Sequence, residues 1–216
     1  MKLLINAGPT RESIDPVRFL TNRSTGKMGY ALAAAAVEAG HEVTLVSGPV
    51  ALVPPRGLAA FVQVETAAEM AEAMKQAFPD AEVTILCAAV ADYCPKNYSA
   101  SKLKKQEGDL SIELERTEDI ALSLGKMKRP DQILAGFAAE TEDIEQNALK
   151  KLRMKNFDWI AANQVGVPDS GFASDTNRLK LYSAAGEVID LGTGKKTELA
   201  RTVIRVFSAK SASEKK

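Results

Sequence analysis

The chain is poor in the residues that most metal and nucleophile sites are built from. Its 216 residues include one histidine, His41, and two cysteines, Cys87 and Cys94. A single imidazole leaves no histidine cluster for zinc and no evident Ser-His-Asp set. Cysteines seven apart have no metal-binding spacing, and so few of them fit a reducing compartment. Net charge is also absent, with 28 basic residues against 28 acidic ones. No global field therefore argues for nucleic acid or a membrane surface, and a charged ligand must be met by local groups. No apolar run approaches the ~18 residues of a membrane span, and the opening MKLLINAGPTRES lacks a signal-peptide core. These absences predict a soluble, cytoplasmic protein.

What is present is the alternation of a layered α/β fold. A chain of this length buries roughly 70% of its unfolded surface and holds a core without staples. KLLINA (2–7), EVTLVSG (42–48), EVTILCAAVAD (82–92), QILAGFAAET (132–141) and DWIAANQV (158–165) read as buried strands. Between them, 27–39 is rich in helix formers with Gly40 as C-cap, and 66–78 opens on Thr66 with Glu69 completing a capping box. Short helices are expected over 118–127 and 142–155, and 109–117 alternates like a half-exposed strand. RLKLYSAAGEVIDL (178–191) reads as a hairpin about Ala185-Gly186, and 195–207 as a closing amphipathic helix. The expectation is one domain over 1–207, with 208–216 a polar, disordered tail. Its fold class is α/β, a mostly parallel sheet with helices on both faces.

In such sheets ligands bind beyond the carboxyl ends of strands, where strand order reverses. Three loops there are unusual. The loop 7–29 brings Ser24, Thr25 and Gly26 to the start of a helix, offering free backbone N–H groups and the positive dipole end to a phosphate. Arg11, Arg18, Arg23 and Lys27 add charge, though a capped helix with a polar loop has the same composition. In the second loop, Asp92 is expected to end a strand where it meets a ribose or magnesium ion. Lys96, Lys102, Lys104 and Lys105 follow, either a solvated run or a flap that closes on a polyphosphate. Third, Phe137 stands where it stacks on a base or fills the core, and Lys151 and Lys155 share a helix face with no acidic partner in sequence. Asn163, Asp169, Ser170, Phe172 and Asp175 are expected in the loop after the next strand.

Four segments together carry a resemblance. NAGPTRESIDPVRFLTNRSTGKMG, AAVADYCPKNYSASKLKKQ, GFAAET and KNFDWIAANQVGVPDSGFASDTN closely resemble the bacterial phosphopantothenate–cysteine ligases, over residues 1 to about 207. The resemblance implies a modified Rossmann-like fold with a lysine-bearing flap, a homodimer, CTP as cosubstrate and Mg2+. It implies no flavin, because the flavin-dependent decarboxylase half found in bifunctional relatives does not precede this segment, so a stand-alone ligase is expected. In the implied reaction the carboxylate of 4′-phosphopantothenate attacks the α-phosphate of CTP, and the amine of L-cysteine then displaces CMP. Matched by position, Asn22 and Arg18 are implied at the acyl-nucleotide intermediate, and Gly8, Ser24, Gly26 and Lys27 on the phosphate side. Asp92, Phe137, Lys151 and Lys155 are implied at the nucleotide, with backbone groups around Ala88 and Ala89 reading the base. Lys102 is implied as the flap lysine of the second step. Thr117, Glu118, Asp119 and Ile120 match a nucleotide-contacting turn in which Glu118 replaces a usual proline, and Cys94 replaces a usual arginine.

Two other classes compete. A dinucleotide-dependent oxidoreductase is disfavoured because Gly-x-Gly-x-x-Gly is missing and Ser47-Gly48 stands where an acidic residue belongs. A non-catalytic nucleotide-binding module would have no use for the flap or the Asn22 loop.

Overall fold

The computed structural model of the chain describes residues 1–105, 107–140, 142–164 and 174–213. The chain starts with β1 (Lys2–Ala7) and a small hairpin, β2 (Arg11–Ser13) and β3 (Phe19–Thr21), inside the long first loop. Then come α1 (Lys27–Glu38), β4 (Glu42–Ser47), β5 (Ala60–Gln63) and α2 (Ala67–Ala77). After β6 (Val83–Leu86), a two-stranded ribbon of β7 (Tyr93–Pro95) and β8 (Leu114–Arg116) stands apart from the main sheet. The second half is α3 (Ile120–Met127), β9 (Ile133–Glu140), α4 (Ile144–Met154) and β10 (Trp159–Gln164), then β11 (Thr176–Ser183), β12 (Val188–Lys195) and α5 (Lys196–Ser213).

The main sheet has eight strands in the order β12-β11-β10-β9-β6-β1-β4-β5. It is parallel from β5 to β10 and antiparallel through β11 and β12. Side chains that alternate along each strand feed two cores. On one face Leu3 and Ile5 meet Leu32 of α1 and Val203 and Phe207 of α5. On the other, Leu4 meets Met70 and Met74 of α2, Leu124 of α3 and Leu152 of α4. This two-faced burial is what the continuous apolar strands demanded. The expected capping box is present: Thr66 Oγ1 accepts the Glu69 amide, and Glu69 accepts from the Thr66 amide. Gly40 follows α1 at φ 78°, a left-handed turn that glycine adopts without strain.

Several expectations are corrected. The strand expected over 82–92 stops at Leu86, because Asn6 Oδ1 takes the amides of Cys87 and Ala88 at 2.7 and 2.9 Å and draws them out of the ladder. Asp92 therefore lies on a loop and does not end a strand. The alternation over 109–117 yields only β8, since Leu110, Ile112 and Leu114 have no layer to pack against and stay exposed. Asn163 is within β10 rather than in the loop after it. The closing helix runs on through 208–213. Asp169, Ser170 and Phe172 lie outside the described residues.

Candidate functional site

Strand order reverses between β1 and β6, which lie side by side with their onward connections going to opposite sides. Beyond their carboxyl ends two loops meet. Gly8 leaves β1 at φ 77°, and Gly26 caps α1 at φ 76°, where an added Cβ would sit 2.8 Å from Val50 Cγ1. Gly29 lets α1 lean on β1, since a Cβ there would fall 2.5 Å from the Ala7 Cβ. The first turn of α1 carries no acidic residue, so its positive dipole end is left for another anion. Asn22 Nδ2 crosses to the second loop and donates to the carbonyls of Ala89 and Val90 at 3.0 and 3.1 Å.

A cavity of about 570 Å³ opens on the β6 side, inside the ~300–1,000 Å³ range of small-molecule sites. Its walls include Ala88, Ala89 and Asp92 from the loop after β6. Glu118, Asp119 and Ile120 come from the start of α3, and Phe137 from the middle of β9, half-buried. Lys151 and Lys155 come from the end of α4. The lysine pair differs from expectation, since Lys155 has an acidic partner, pairing with Asp119 at 3.1 Å. Glu118 is held by Lys75 at 3.0 Å and by the Ser123 hydroxyl at 2.7 Å, and the hydrogen bond from that hydroxyl, followed by the bond and charge of Lys75, lowers its pKa. Asp92 carries no ion pair among the described residues, which leaves its carboxylate open to a ribose or a cation. The amides of Ala88 and Ala89 are bonded to Asn6 and to the Gly8 carbonyl, so these two donors do not serve a base.

A second, smaller cavity of about 130 Å³ lies on the α1 side. Ser24, Gly26 and Lys27 line it, as do Asn163, Asn177 and Lys196. Ala88, Ala89, Phe137 and Ala139 line both cavities, so one wall separates them. Lys27 pairs with Asp175 at 2.6 Å, and that bond holds the Asp175 carboxyl below its ordinary value. Cys87 also faces this cavity, and burial pushes its thiol up to about 12.

Gly8, Arg18, Asn22 and Lys102 line neither cavity. The Arg18 guanidinium pairs with the buried Asp15 at 2.6 Å and donates to the Leu103 carbonyl at 3.0 Å, while Asp15 accepts the Leu103 amide at 3.1 Å. The pair thus grips both backbone groups of the residue after Lys102. This clamp holds the Asp15 carboxyl well below the usual carboxylate range, the Arg18 bond being the largest cause. Cys94 sits in β7 opposite Glu115, and its thiol is raised by burial first and that carboxylate second. Among the described residues, no three His, Cys, Asp or Glu side chains gather as a metal site, and no helix is long and apolar enough to cross a membrane.

Sequence reasoning missed Asn6, Asn177, Arg116 and Lys196. Asn6 had a signal, a lone polar residue in an apolar strand; Lys196 had none, because its partners are remote in sequence.

A family model described as the DNA/pantothenate metabolism flavoprotein C-terminal domain matches residues 1–210. The coenzyme A biosynthesis bifunctional protein CoaBC of Bacillus subtilis (strain 168) is 49% identical over 209 residues, 97% of this chain and 51% of that protein. A cysteine/cysteine sulfinic acid decarboxylase from an unknown prokaryotic organism is 47% identical over 204 residues, 94% of this chain and 57% of that protein. The crystal structure of the C-terminal domain of a coenzyme A biosynthesis bifunctional protein CoaBC aligns with TM-score 0.80 at 48% identity, covering 95% of this chain and 93% of that one. The chain therefore spans about half the length of the curated relatives it matches.

Proposed function

The chain belongs to the DNA/pantothenate metabolism flavoprotein C-terminal domain family, and on that basis we propose that it is a phosphopantothenate–cysteine ligase acting in coenzyme A biosynthesis. The observation that carries the reading is that ten residues expected at a nucleotide line a single cavity at the switch point of the sheet. The near full-span likeness to the C-terminal domain of CoaBC supports it.

The chemistry follows from the poor leaving group of a carboxylate. An oxygen of 4′-phosphopantothenate attacks the α-phosphate of CTP, forming an acyl-cytidylate and releasing pyrophosphate. The amine of L-cysteine then attacks the acyl carbon, and CMP leaves with the bonding pair. The larger cavity takes the nucleotide, with Phe137 against the base and Lys151 and Lys155 near the phosphates. Asn22 fixes the loop on which the intermediate rests, and Lys102 serves the transfer half from its clamped segment. Mg2+ would arrive on the phosphates with one or two protein carboxylates, and Asp92 is the lining group suited to it. The protein works as a homodimer in the cytoplasm. The decarboxylase among the relatives is matched over little more than half its length, and carbon dioxide loss has no need of two lysines beside a nucleotide-sized cavity.

The test is pyrophosphate release by purified protein with Mg2+, 4′-phosphopantothenate and L-cysteine, comparing CTP with ATP. Release that requires phosphopantothenate and prefers CTP is the expected result. No release from folded protein with either nucleotide would remove the ligase reading.

A further inference from the structure

The smaller cavity is unlike the larger one in size, charge and construction. At about 130 Å³ it falls below the range for nucleotide-sized ligands, yet it admits a small amino acid. Its described lining holds two ammonium groups and no carboxylate. Both lysines open helices: Lys27 is the first residue of α1 and Lys196 the first of α5. The amide ends of a 12-residue and an 18-residue helix thus converge on one small space. The first turn of α1 has no acidic residue and adds positive potential, while Glu198 in the first turn of α5 offsets part of that helix's share.

Lys196 distinguishes the site from an ordinary capped turn. It is only 6% exposed, and its Nζ donates to the Ser174 carbonyl at 2.6 Å. A buried ammonium is costly unless charge or dipoles compensate it. Burial first, and Lys27 second, lower its pKa, so an anion in the cavity would relieve both effects. Asn163 and Asn177, 9% and 4% exposed, are tied together at 3.3 Å and present amide groups beside it. Lys27 pairs with Asp175 at 2.6 Å, and Asp175 also raises the Lys196 pKa, a smaller effect than burial or Lys27; of the two cations Lys196 is the more deeply buried in the cavity wall. Cys87 stays a neutral thiol and sets no charge against that anion.

We propose that this cavity seats the acceptor of the ligation, its carboxylate held by Lys196 and its amine directed across the shared wall at the acyl group in the larger cavity. The inference rests on the function proposed above and assigns the acceptor, L-cysteine, a place in it. The shared wall of Ala88, Ala89, Phe137 and Ala139 sets the two reactants side by side. Nearby cations also disfavour an ammonium, so the bound amine more readily loses the proton that blocks its lone pair. That lone pair forms the C–N bond, the C–O bond to the cytidylate breaks, and the nitrogen's remaining extra proton passes to water.

Cysteamine, which is cysteine without its carboxylate, supplies the test. Wild type and Lys196→Gln are assayed with both acceptors, with KM measured for CTP and phosphopantothenate as well. The wild type is expected to prefer cysteine in kcat/KM by roughly 10- to 100-fold, the worth of a charge-assisted hydrogen bond. Lys196→Gln should erase that preference by slowing cysteine alone, leaving cysteamine and both other KM values unchanged. A variant that keeps the preference overturns the assignment, as does one whose only change is a raised KM for phosphopantothenate, since the cavity would then hold a phosphate. Should Lys196→Gln fail to fold by thermal melting, Asn163→Asp replaces it; a carboxylate in the cavity must abolish the same preference, and retention refutes the assignment. A wild type that releases no pyrophosphate overturns the ligase reading and the acceptor site together. A wild type that turns over without preferring cysteine overturns the acceptor site alone.

Discussion

Asn22→Asp is the most informative substitution at the junction of the two loops. The change is nearly isosteric, but it converts a donor into an acceptor. Asn22 Nδ2 now supplies two hydrogen bonds, to the Ala89 and Val90 carbonyls at 3.0 and 3.1 Å. Each is worth about 0.5–1.5 kcal/mol net, so losing both costs roughly 1–3 kcal/mol. A carboxylate facing two carbonyl oxygens adds repulsion, while the exposure of Asn22 moves the sum toward the lower half of that range. Expressed wholly in the transition state, this is about a 5- to 150-fold fall in kcat/KM, at about 1.4 kcal/mol per decade. Pyrophosphate release and product formation are measured with saturating and limiting CTP, beside Asn22→Ala, which loses the bonds without adding charge. The alanine variant should fall between wild type and aspartate. An unchanged rate and CTP KM in Asn22→Asp would refute the placement of Asn22 in the site. Equal losses in the two variants would instead leave the added charge with no effect.

Three other perturbations probe the same frame. Asp15→Asn should loosen the segment that carries Lys102, raising its cleavage by a protease in limited digestion; equal sensitivity would show that Leu103 is held by other means. Because the Asp15 carboxyl is lowered, chiefly by Arg18, it contributes stability above the ordinary carboxylate value of about 3.9 that is lost as pH falls through its lower folded value. The acid limb of unfolding should therefore be steeper in wild type than in Asp15→Asn. Asn6→Ala leaves the amides of Cys87 and Ala88 without their acceptor, at about 1–3 kcal/mol each, so denaturant unfolding should register a loss of roughly 2–6 kcal/mol; a change under about 0.5 kcal/mol would contradict the role given to Asn6. Lys102→Ala should still release pyrophosphate while forming little phosphopantothenoylcysteine, and normal product yield would remove the flap lysine from the second step.

Legibility in the sequence followed the range of the interactions involved. Elements set by neighbours were readable: the α2 capping box from Thr66 and Glu69, the end of α1 from Gly40, and the central strands from their apolar runs. β5 was not, since all four of its residues are exposed at the sheet edge and no burial pattern marks it. The β2–β3 hairpin, with three residues in each strand, is too short to produce a period. The true end of β6 was hidden because Asn6, some eighty positions earlier, decides it.

The site divides in the same way. Charge pointed to Asp92, Lys151 and Lys155 of the larger cavity, and a lone aromatic to Phe137, whereas Ala88, Ala89 and Glu118 to Ile120 were expected only from the family resemblance. The smaller cavity depends on a meeting that no local pattern records. β11 and β12 run antiparallel at one end of the sheet, and the chain then returns as α5 to pack beside α1. Only that return places Lys196 next to Lys27, with Arg201 and Glu38 pairing at 3.0 Å further along the same two helices. A parallel sheet ending at β10 would still hold a nucleotide-sized cavity between β6 and β9. The antiparallel pair adds Asn177 from β11 and brings Lys196 from the helix after it. In the reading offered here, the parallel core thus supplies the activation half of the reaction, and the antiparallel extension supplies the part that recognises what the activated acid is joined to.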